Sequence, residues 1–238
     1  MGRLGGALMV LQLAGAAWAG VVFETPLARL ILNDDATVES LVEKATGREC
    51  IAQPVKLPLA MIRSGGKSYN AHTVVAAPDG LQLTFANTDT VLHYAVESAA
   101  EWILFRLASV EGTRPESLVL AQAPVAITQN IGPRLNAAWD DQTTVCLMAA
   151  NRQVDVRASG GNFATLQALT QDAPGPRIEG AAVALIVCPT PQFKAVARRA
   201  CHAFGLLHNE AADGTPVKDM DLARGSYWFL SFGEADVD

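Results

Sequence analysis

Arg134, Trp139, Asp140 and Asp141 fall within eight consecutive residues and could together hold a ligand. An indole face stacks on the apolar face of a pyranose ring, while a guanidinium and two carboxylates hydrogen-bond its hydroxyls. The group therefore reads as a sugar-binding platform. Asp140-Asp141-Gln142 is equally good turn chemistry between two strands, because an Asp side chain accepts hydrogen bonds from amides just ahead of it. Both readings stand at the level of sequence. Glycoside cleavage needs two carboxylates facing one bond at a defined separation. The acids here are scattered, so no catalytic residue is assigned.

Other chemistries find less support. His202 and His208 are six apart, not the four that places two ligands on one helix face, and His72 and His93 stand alone. No His-Glu-x-x-His motif occurs, so no metal is expected. There is no Gly-x-Ser-x-Gly elbow for a hydrolase serine. Ser64-Gly65-Gly66 and Ser159-Gly160-Gly161 read as turns, and the latter lacks the lysine of a phosphate loop. No cofactor is expected. Cys50, Cys146, Cys188 and Cys201 admit three disulfide pairings. Cys146 and Cys188 lie in apolar strand-like runs, which points to free buried thiols.

These side chains need a scaffold, and the composition supplies one. Half of the residues are hydrophobic and 18% are charged, the balance of a packed core and not of a disordered chain. Net charge is −6 with no lysine- or arginine-rich run. Nucleic acid and anionic membrane surfaces are thereby disfavoured as partners.

The punctuation predicts a mainly β fold. Apolar runs at 21–32, 37–42, 56–62, 72–76, 81–85, 91–97, 102–109, 118–128, 143–148, 153–158 and 181–188 are separated by Gly, Pro, Asn and Asp turns. Short strands at such spacing point to an antiparallel β-sandwich. One helix is expected near 191–203. Thr190 can cap it, Pro191 suits its first position, and Gly205 can end it.

The two ends carry further expectations. Arg3, an apolar stretch over 4–14 and Ala17-Trp18-Ala19 fit a signal peptide over 1–19, which predicts an exported protein, periplasmic or extracellular. Residues 206–224 read as a polar connector. Tyr227, Trp228, Phe229, Leu230 and Phe232 then form an apolar run like a strand buried on both faces, followed by acids suited to a first helical turn. A βαβ unit needs a second strand, so 225–238 reads as the start of a truncated barrel.

Two segments carry a family resemblance. Thr37-Val-Glu-Ser-Leu-Val-Glu-Lys-Ala-Thr-Gly-Arg-Glu49 resembles the early hairpin of N-terminal β-sandwich domains in carbohydrate-active enzymes. Gly225-Ser-Tyr-Trp-Phe-Leu-Ser-Phe-Gly-Glu-Ala-Asp-Val-Asp238 resembles the junction into the (β/α)8 barrel of α-galactosidase-like glycoside hydrolases. The resemblance implies a supersandwich-like β-sandwich over 20–205 with one C-terminal helix, serving as the non-catalytic portion of an exported glycoside hydrolase and inactive alone. Its expected partners are a glycan and a C-terminal barrel domain. The family's catalytic aspartates sit on later barrel strands, and no position here matches them. The alternatives are a stand-alone secreted carbohydrate-binding protein and a complete exported enzyme of another type.

Overall fold

The computed structural model describes residues 20–170 and 178–206. The expected signal peptide and barrel strand, and the connector beyond Leu206, lie outside the described residues. The chain divides into two compact units, 1–193 and 194–238.

The described part of the first unit is built of antiparallel strands. A small sheet runs in order from β1 (Val21–Glu24) through β2 (Ala28–Leu32) and β3 (Val38–Glu43) to β4 (Arg48–Glu49). Twelve further strands follow: β5 (Met61–Ser64), β6 (Lys67–Ala77), β7 (Gly80–Phe85), β8 (Val91–Ser98), β9 (Ile103–Glu111), β10 (Ser117–Val125), β11 (Asn130–Gly132), β12 (Ala137–Trp139), β13 (Thr143–Ala149), β14 (Val154–Ser159), β15 (Ala164–Thr170) and β16 (Ala182–Pro189). They form one ribbon in the order β11-β12-β13-β16-β9-β8-β7-β6-β5-β10-β15-β14.

Strand β6 turns the corner of this ribbon. Lys67–Asn70 pair with β5, and Ala71 onward pairs with β7, with a register shift between Ala71 and Thr73. A bulge bends its strand and raises the local twist, so one strand can serve two layers. The ribbon folds over until β13 faces β15 and the end strands β11 and β14 approach. A Cβ at Gly160, just past β14, would come within 2.7 Å of Ile131 Cδ1 on β11, so the two end strands lie close enough there that the isoleucine side chain would have to move.

One apolar core fills the space between. Leu81, Leu83 and Phe85 point inward from β7, and Leu92 and Tyr94 from β8. In β10 and β16 nearly every residue is buried. Leu30, Leu32 and Leu41 of the small sheet join the same core, and Phe23 meets Phe105 edge-to-face with centroids 5.8 Å apart.

Two polar side chains tie the layers. Tyr94 Oη on β8 donates to Leu120 O on β10 at 3.0 Å. Asn136 Nδ2 donates to Leu147 O on β13 at 2.8 Å and to Gln167 O on β15 at 3.0 Å.

The structure corrects two expected strands. Residues 21–32 form a hairpin and not a single strand, because Pro26 cannot donate to a ladder. The Thr25 hydroxyl instead accepts from the amides of Leu27 and Ala28 and closes the turn. The run 56–62 becomes strand only from Met61, since Pro58 again interrupts the ladder.

The helix α1 (Thr190–Ala203) matches its expected span. Pro191 stands at its start, where no intrahelical amide donor is needed. Gly205 (φ 63°) ends it: Leu206 N donates to Cys201 O at 2.9 Å and Gly205 N to His202 O at 3.1 Å. That pair of bonds is the Schellman arrangement.

Candidate functional site

The turn 133–136 and strand β12 carry the side chains singled out from sequence. Asn136 closes this turn in the left-handed region (φ 49°) and is fully buried. Asn tolerates this conformation better than most residues. Its two amide bonds fix the turn to β13 and β15 and so set the position of β12. Arg134 and Leu135 project from the turn and are exposed.

Trp139 ends β12, opposite Asn130 on one side and Thr144 on the other. Asn130 Nδ2 donates to Trp139 O at 3.3 Å. The indole is half-buried and lies against Gly132, where an added Cβ would sit 3.0 Å from its Cζ3. Gly132 thus makes room for the ring.

Asp140 is committed to the fold. Its Oδ1 accepts from Gln142 N and Thr143 N, each at 2.9 Å, and so closes the β12–β13 turn. Its Oδ2 lies 2.7 Å from Arg48 Nη1 on β4. Burial pushes the carboxyl up, but the Thr143 and Gln142 amides and the Arg48 guanidinium outweigh it and hold the group below the usual carboxylate range. Asp141 occupies the same turn and is exposed.

The structure therefore brings Trp139, Asp140 and Asp141 to one end of β12 and places Arg134 at the other. A three-residue strand, about 10 Å long, lies between. The cation beside Asp140 is Arg48, which sequence reasoning missed. Arg48 is remote in sequence and belongs to another sheet, so no local spacing could signal the pair.

The carboxylates of the hairpin spanning 37–49 are also engaged. Glu43 is fully buried and accepts from Ala45 N at 2.7 Å, Thr46 N at 3.1 Å and Thr46 Oγ1 at 2.6 Å. Glu49 Oε1 accepts from Leu41 N and Ile51 N at 2.9 and 2.8 Å, and its Oε2 from Ser40 Oγ. These acids build turns and strand ends.

Of the histidines, His93 stands beside Gln82 and Glu111. Its Nδ1 is 3.1 Å from Gln82 Nε2 and its Nε2 is 3.0 Å from Glu111 Oε1, the latter without hydrogen-bond alignment. His208 lies outside the described residues. Among the described residues no three His, Cys, Asp or Glu side chains converge as a metal site would require.

Cys50, Cys146 and Cys188 are buried free thiols, and Cys201 is a half-buried one. Across β13 and β16, Cys146 faces Ile186 while Cys188 faces Thr144. The two thiols are therefore diagonal neighbours. Their Cα atoms stand roughly 7–8 Å apart, beyond the usual reach of a disulfide.

No protein-family model matches this chain, and a search of curated proteins returns no significant relative.

Proposed function

We propose that this chain is the supersandwich-like β-sandwich portion of an exported, α-galactosidase-like glycoside hydrolase. In this reading it helps to hold a glycan and leaves bond cleavage to a C-terminal barrel that begins at 225–238. The observation that carries the reading is the state of Asp140. Both of its oxygens serve the fold, so the best acid beside the aromatic is a strut and not a general acid or base. Trp139 retains part of its surface, and Asp141 is exposed next to it. An aromatic face beside a free hydroxyl acceptor suits sugar binding. The same half-buried Trp139 is what favours the second reading, a stand-alone carbohydrate-binding protein.

The test is calorimetric titration of the purified chain with neutral galacto-oligosaccharides, together with an assay on aryl α-galactosides. Binding without turnover is expected, with affinity falling at least tenfold in Trp139→Ala. Turnover abolished by replacing one acid within 20–206 would overturn the proposal. A barrel fused after Asp238 that gains activity only with this portion present separates the hydrolase reading from the stand-alone one.

A further inference from the structure

The outer face of β5, β10, β15 and β14 carries a groove of about 290 Å³, open to solvent. That is near the lower limit for a small-molecule site. Strand register lays out its floor. Met61 pairs with Val119, Val119 with Leu169, and Leu169 with Asp155, so these four residues form one row across four strands. Three are apolar, and Val119 is only 5% exposed even though it lies on the outer face.

Charge and hydroxyl groups rim this floor. Arg63 and Ser117 are paired one step along the strands, with Ser68 opposite Arg63. Arg157 lies two residues beyond Asp155 on the same face, in the opposite direction. Arg63 is drawn aside by Glu116, whose Oε2 lies 3.8 Å from its Nε. Asp155 and Arg157 are exposed and take part in no ion pair among the described residues.

We infer that this groove binds a short oligosaccharide carrying a uronate, an inference that rests on the reading above that the chain holds a glycan and adds a second seat, apart from Trp139, together with the sugar's charge. The guanidinium of Arg157 presents a planar fork of N–H donors that matches a carboxylate in two hydrogen bonds. Asp155, Ser68 and Ser117 offer partners to ring hydroxyls. The row from Met61 to Leu169 supplies an apolar floor for the C–H face of a sugar ring. Among the described residues no aromatic ring lines the groove, so discrimination falls to the carboxylate contact and not to stacking.

The experiment titrates the full chain with a trigalacturonate and with a neutral galactotriose, by calorimetry at low and at physiological salt. The uronate should bind at least tenfold more tightly, and Arg157→Gln should abolish that preference while Arg106→Gln, at an exposed arginine of β9 outside the groove, preserves it. The preference should also shrink as salt rises. Both substituted side chains can be checked for unchanged folding by circular dichroism, and Arg157 is exposed, so its loss leaves the core intact. Equal affinity for both sugars, or uronate binding untouched by Arg157→Gln, overturns this inference and leaves the glycan reading standing. Binding of neither sugar overturns both. Poly-glutamate competing as well as trigalacturonate also overturns it, since the groove would then read charge alone.

Discussion

Asp140 joins two sheets with one carboxylate, and its removal should be felt in stability. Asp140→Ala leaves the amides of Gln142 and Thr143 without their acceptor and Arg48 without its counter-ion. The expected loss is about 1–2 kcal/mol in a urea melt at pH 7. The ion pair itself is partly exposed, with side-chain exposures of 30% for Arg48 and 16% for Asp140. A double-mutant cycle with Arg48→Met should therefore give a coupling of only about 0.5–1 kcal/mol. The sign with pH follows from the lowered folded pKa. Above the ordinary carboxylate value of 3.8 the contribution is complete, and it disappears as pH falls through the folded value. The gap between the wild-type and Asp140→Ala midpoints should thus close on acidification. A gap that stays constant down to pH 2 would mean that the charge of Asp140 contributes nothing.

At the level of elements, the layers are held in register by buried polar groups as well as by apolar packing. Tyr94 is fully packed, and burial pushes its phenol well above the usual range, so it remains a donor at any pH the fold survives. Tyr94→Phe strands the carbonyl of Leu120 and should cost about 1–2 kcal/mol, visible as a lower denaturation midpoint at unchanged m-value. Asn136→Ala loses two hydrogen bonds and sets a Cβ-bearing residue without a polar side chain at φ 49°. Asn136→Gly should recover the backbone part of that loss but not the rest, roughly 0.5–1 kcal/mol. Equal destabilisation by Ala and Gly would show that strain plays no part there. Much of this scaffold was legible. Gly47, the pair Gly65-Gly66 and Asn87 all sit at positive φ in the turns where the sequence places them. Pro191 and Gly205 bound the helix as their chemistry requires. The remainder was hidden for physical reasons. In β15 the inward positions are Ala164, Leu166, Ala168 and Thr170, and two alanines give too little hydrophobic contrast to mark a strand. The first half of β6 is polar because it runs along a surface before bending inward, so only its second half reads as strand. The Arg48–Asp140 pair is invisible because a long-range contact leaves no local period.

For the molecule as a whole, the four cysteines give a test of how the core is held. Three of these thiols lie in the core and none is joined to another. Burial pushes Cys50 up to about 12, and Cys188 up to about 11, where Glu101 and Glu43 add to the effect. Cys146 is 1% exposed. Since the thiolate is the reactive form, both access and ionisation protect these groups in the folded state. Burial also raises Cys201, but that residue is half-exposed at the end of α1. A thiol-specific disulfide reagent at pH 8 should therefore label one cysteine per folded chain, slowly, and the other three only after unfolding. Across a urea series, the labelling of those three should track the unfolding curve measured by tryptophan fluorescence. Addition of a reductant should leave the midpoint where it was, because no crosslink constrains the unfolded chain. A midpoint that drops on reduction, or labelling of fewer than four thiols in full denaturant, would mean that the chain closes a disulfide. One of the segments that carry Cys50, Cys146 and Cys188 would then have to shift to bring two sulfurs together.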